Sequence, residues 1–71
     1  MLSQGQSTKK SKLMCVELCI EFSEDMTPNI LTPITIDALK NIGAISARGM
    51  IYNHKDYESK DQVNYVVINN I

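Results

Sequence analysis

The segment LMCVELCIEF, Leu13–Phe22, constrains this chain more than any other feature. Met14, Val16, Leu18, Ile20 and Phe22 are all apolar, and the residues between them are mixed: Leu13, Cys15, Glu17, Cys19 and Glu21. Strand side chains alternate between two faces, so a period of two with one fully apolar face predicts a half-buried β-strand. A helix would keep Met14, Leu18 and Phe22 on one stripe but scatter Val16 and Ile20 away from it.

The same segment holds both cysteines of the chain. On a strand Cys15 and Cys19 share a face but lie roughly 13 Å apart, at ~3.3 Å per residue. A disulfide needs Cα atoms within about 7 Å, and a shared zinc needs both thiolates about 2.3 Å from one ion. The pair is therefore read as structural thiols, with neither metal nor redox chemistry. On a helix the two would sit one turn apart, but His54 is the single histidine and no second ligand pair exists.

The rest of the chain supplies three further elements. LTPITIDALKNIGA predicts one short helix over Pro33–Ile42, with Thr32 as N-cap, Pro33 as first helical residue and Gly43 as the left-handed stop. Ile36, Leu39 and Ile42 fall at helical spacing, with Ala38 close to that stripe. Its β-branched residues weaken it in isolation, so it needs a sheet to pack on. Ile45–Asn53 and Gln62–Asn70 read as two further strands. The charged, turn-like HKDYESKD between them makes an antiparallel hairpin. Tyr65–Ile68 is apolar on both faces, as a central strand would be, whereas Gly49 and polar flanks mark the preceding strand as nearer an edge.

The resulting fold expectation is a small single α+β domain of β-α-β-β order. One helix lies on a three-stranded mixed sheet in the spatial order first, third, second strand, a truncated ferredoxin-like topology. Residues 1–11 read as a polar, basic N-terminal arm and 12–71 as the domain. The loop SEDMTPNIL places Glu24 and Asp25 near Glu21, which reads as a solvated strand end; the spacing matches no calcium loop.

Composition bounds the function. Seventy-one residues make one domain with a thin stability margin, and small scaffolds without staples commonly gain stability by oligomerising. Seven basic and eight acidic residues leave a net charge of −1, without the basic excess of a dedicated duplex binder. There is no apolar run long enough to span a membrane, and MLSQGQSTKKSK has no apolar core like that of a signal peptide. The expectation is a cytoplasmic protein with reduced thiols and no membrane association. The supply of nucleophiles and bases is poor, the three glycines are isolated, and His54, near Asp56, reads as a solvated loop residue. The chain is therefore read as non-enzymatic, with no cofactor.

Two functional readings follow. In the first, the protein is a homodimeric interaction or regulatory protein. It binds another, unidentified protein through a sheet edge or the open sheet face, with Cys15, Glu17, Cys19 and Glu21 in the contact region. In the second, it is a nucleic-acid-binding module. Lys9, Lys10, Lys12, Lys40 and Arg48 would hold phosphates, and Tyr52 and Tyr65 would stack on bases. ARGMIY, Ala47–Tyr52, is similar in part to the strand motif of RNA-recognition folds. It has Met50 where that motif has an aromatic and Ile51 where it has a small residue, and the strand order differs.

Overall fold

The computed structural model describes residues 10–56 and 62–69. It contains one helix, α1 (Pro28–Asn41), and two strands, β1 (Ala47–Ile51) and β2 (Asn64–Ile68), with a 3-10 turn at His54–Asp56.

The sequence carries two Thr-Pro pairs, and the helix starts at the first. Thr27, in an extended conformation, accepts a hydrogen bond at its hydroxyl from the Ile30 N–H at 3.2 Å, and Pro28 occupies the first helical position. The expected start at Thr32-Pro33 is thus corrected by five residues. Pro33 lies inside the helix, where it has no N–H to offer the Asn29 carbonyl. On either side of it, the hydroxyls of Thr32 and Thr35 donate to the carbonyls four residues earlier, Pro28 at 2.7 Å and Leu31 at 2.9 Å. The helix ends as expected. Gly43 adopts φ +97°, its N–H donates to the Lys40 carbonyl, and the Ala44 N–H donates to Leu39. These two bonds form a Schellman cap, which a Cβ at position 43 would strain.

The hairpin also forms. β1 and β2 pair antiparallel with Ala47 opposite Ile68, Gly49 opposite Val66 and Ile51 opposite Asn64. These residues point toward α1, and in β2 they include the two buried residues among those described, Val66 and Ile68, at 5% and 7% exposure. Met50 opposite Tyr65 and Arg48 opposite Val67 form the other face, which is open. The half-buried residues of α1 are Pro28, Leu31, Thr32, Thr35, Ile36 and Leu39. Ile42 lies outside this stripe at 80% exposure, and Ala38 is also exposed. Beyond β2, Asn69 takes a left-handed φ of 57° and its amide donates to the Ile45 carbonyl, closing the hairpin against the chain that enters it.

The three-stranded mixed sheet is not formed. Residues 13–22 carry no strand or helix, and the sheet has two strands, so the fold is a helix on a two-stranded antiparallel sheet. The ferredoxin-like order falls with it. The physical reason is the range of the pairing. β1 and β2 meet within one hairpin, whereas residues 13–22 would have to return to β2 past α1 and β1, a non-local pairing with a larger closure cost. α1 packs chiefly on β2 and little on β1, and Asn64 at the start of β2 donates to the Asn29 side chain at 2.8 Å.

Candidate functional site

Every residue from Lys10 to Asp25 is exposed. Leu13 is 79% exposed, Val16 and Leu18 73% each, and Phe22 still 44%. A large apolar side chain contributes roughly 1.5–3 kcal/mol when fully buried. Leu13, Met14, Val16, Leu18, Ile20 and Phe22 together therefore leave roughly 6–12 kcal/mol unrealised, comparable to the whole stability of a typical domain.

The arm joins the packed unit through a turn in which the Met26 N–H donates to the Ser23 carbonyl at 3.1 Å. Inside it, the Ser23 hydroxyl donates to the Asp25 carboxylate at 2.6 Å. That bond, followed by one from the residue's own backbone, holds the Asp25 carboxyl below the ordinary carboxylate value. Between the arm and the body lies an open groove of about 1830 Å³. The arm lines one side, and Leu31, Thr35, Leu39 and β1 with the residues leading into it line the other. A smaller cleft of about 450 Å³ at the start of α1 is lined mainly by amides, Asn29, Asn53, Gln62 and Asn64.

The residues singled out in the sequence distribute over this frame as follows. Cys15, Glu17, Cys19 and Glu21 all lie on the exposed arm, and both cysteines are free thiols. Lys10 and Lys12 precede them, while Lys9 lies outside the described residues. Lys40 sits in the last turn of α1. Arg48 and Tyr65 share the open hairpin face, Tyr65 at 64% exposure, and Tyr52 follows β1 and is half-buried. The cations are thus divided among arm, helix end and hairpin and do not form one stripe. Among the described residues no group of three His, Cys, Asp or Glu side chains is placed to hold a metal ion.

The open sheet face anticipated as a contact surface carries Met50 and Val67, 48% and 42% exposed, beside Tyr65. A second exposed surface was not singled out in the sequence. Ile30 and Ile34, 48% and 53% exposed, share an outward face of α1 one turn apart. The signal was present: reading the first Thr-Pro pair as the helix start would have added Ile30 to the helix beside Ile34.

No helix is long and apolar enough to cross a membrane among the described residues. The chain matches no family model, no curated protein and no solved structure.

Proposed function

We propose that this chain is a small non-enzymatic interaction protein that works as a homodimer in the cytoplasm and binds a further protein through surfaces the dimer leaves free. One observation carries the reading: the arm at Leu13–Phe22 exposes an apolar face as strongly patterned as the hairpin's, while the body buries only Val66 and Ile68 among the described residues. Exposed apolar surface on this scale in so small a protein marks a contact surface. Free, exposed Cys15 and Cys19 suit a reducing compartment. The open face around Met50, Tyr65 and Val67 is the surface we assign to the second partner. The test is the native molar mass by light scattering at micromolar concentration. Twice 8.0 kDa supports the reading, and a monomer at every concentration removes its homodimeric part.

A second reading, binding of single-stranded nucleic acid, draws on Tyr65 sharing the open face with Arg48. Glu17 and Glu21 on the arm and the net charge of −1 weigh against it. Affinity for a labelled oligonucleotide that falls steeply with salt would support it, and no binding at low salt dismisses it.

A further inference from the structure

We infer that the arm of one copy pairs antiparallel with the arm of a second copy, in the single register that sets Leu18 opposite Leu18. The inference rests on the homodimer reading and specifies how the dimer is made.

Two observations name a second copy as the occupant. The first is exposure. Met14, Val16, Leu18, Ile20 and Phe22, the five apolar residues of one face, are 44–73% exposed, a contiguous apolar stripe of the kind that marks a contact surface.

The second is that the arm is complementary to itself. When two identical strands pair antiparallel, the numbers of opposite residues have a constant sum. An odd sum puts even-numbered residues across from odd ones and so breaks the apolar face. With Leu18 opposite Leu18, Val16 meets Ile20 and Met14 meets Phe22. All five apolar side chains of the face then pair only with one another. On the other face Glu17 meets Cys19, Glu21 meets Cys15 and Leu13 meets Ser23, while at the ends of the apolar face Lys12 comes across from Glu24.

Neighbouring registers fail on named pairs. Setting Glu17 opposite Glu17 puts two carboxylates on the two-fold axis and Phe22 against Lys12. Setting Cys19 opposite Cys19 puts Glu17 against Glu21 twice and Met14 against Glu24. A parallel, in-register pair stacks Glu17 on Glu17 and Glu21 on Glu21. Like charges directly opposite destabilise a pair. The antiparallel arrangement is isologous and closes at two copies. The groove between the arm and Leu31, Thr35 and Leu39 leaves room for the second arm beside the first.

The test is disulfide trapping in a full-length chain carrying Cys15→Ser and Cys19→Ser. Directly opposite residues lie about 4.5–5.5 Å apart at Cα, inside the disulfide range of about 4.4–6.8 Å. Under copper-catalysed air oxidation, Leu18→Cys in this background should give mostly covalent dimer on a non-reducing gel. Glu17→Cys should give little, and the wild type should lag far behind Leu18→Cys because its cysteines face glutamates. Should Leu18→Cys fail to fold, an equimolar mixture of Val16→Cys and Ile20→Cys chains should cross-link to each other and neither to itself. Rapid trapping of the wild type, or of Glu17→Cys in preference to Leu18→Cys, overturns the register. A dimeric mass with no arm cross-link overturns the arm pairing and leaves the homodimer reading intact. A monomeric mass overturns both.

Discussion

The arm at Leu13–Phe22 and the strand β2 at Asn64–Ile68 are both apolar strand patterns, and their fates differ. β2 has a neighbour in β1 and a helix over one face, and it holds the buried residues Val66 and Ile68. The arm has the cleaner alternation and is exposed at every residue. The difference teaches that periodicity specifies which face is to be buried but not which surface buries it. β2 meets β1 within one hairpin, where the chain itself supplies the neighbour at low entropic cost. The arm has no such neighbour, because pairing it with β2 would close a loop that includes α1 and β1.

The sharpest way to break this comparison is to charge the arm. Leu18→Asp should weaken the dimer by at least about a hundredfold, or roughly 3 kcal/mol, since the symmetric pair brings two carboxylates together. Sedentation of the variant by analytical ultracentrifugation reads this directly, and an unchanged mass distribution would show that the arm is not the contact. The corresponding cut in the body is Ile68→Ala. It should cost about 2–4 kcal/mol, enough to unfold much of a marginal chain in a circular-dichroism melt. Tyr65→Ala on the open face should cost well under half as much, and equal effects would contradict the assignment of faces.

Smaller effects sharpen the picture of how the two regions join. Pro33→Ala restores a donor to the Asn29 carbonyl and should raise helix stability by about 1–3 kcal/mol, read as an increase in melting temperature. Ser23→Ala removes the hydroxyl that depresses the Asp25 carboxyl, so an NMR titration should show that carboxyl moving up toward the ordinary carboxylate range. The sign follows from linkage. A carboxyl lowered in the folded state contributes stability above its unfolded value, and that contribution is lost as pH falls through the lowered one. In wild type the turn therefore weakens at acid pH, and in Ser23→Ala this component of the pH dependence shrinks.

Much of the body was legible in sequence because its signals are local. Gly43 reads as a helix stop since a left-handed φ suits it, and it caps α1 at φ +97°. The apolar runs around Ala47–Ile51 and Asn64–Ile68, separated by a polar turn, read as a hairpin and form one. The helix start was misread because Thr27-Pro28 and Thr32-Pro33 are equivalent capping signals. The choice between them depends on which stripe meets the sheet: Leu31, Thr35 and Leu39, not one that ends at Ile42. The run Tyr65–Ile68, apolar on both faces, leaves the face of Tyr65 undecided, and burial of Val66 and Ile68 puts it on the open one.

By itself the sequence determined the helix stop, the hairpin and the two-faced character of the arm, because capping, turn chemistry and alternation act over a few residues. Only the tertiary structure decided that the sheet has two strands, that Val66 and Ile68 form the core, and that Leu13–Phe22 stands apart from it. Those outcomes depend on pairing and packing between segments more than twenty residues apart in the chain, α1 on β2 among them.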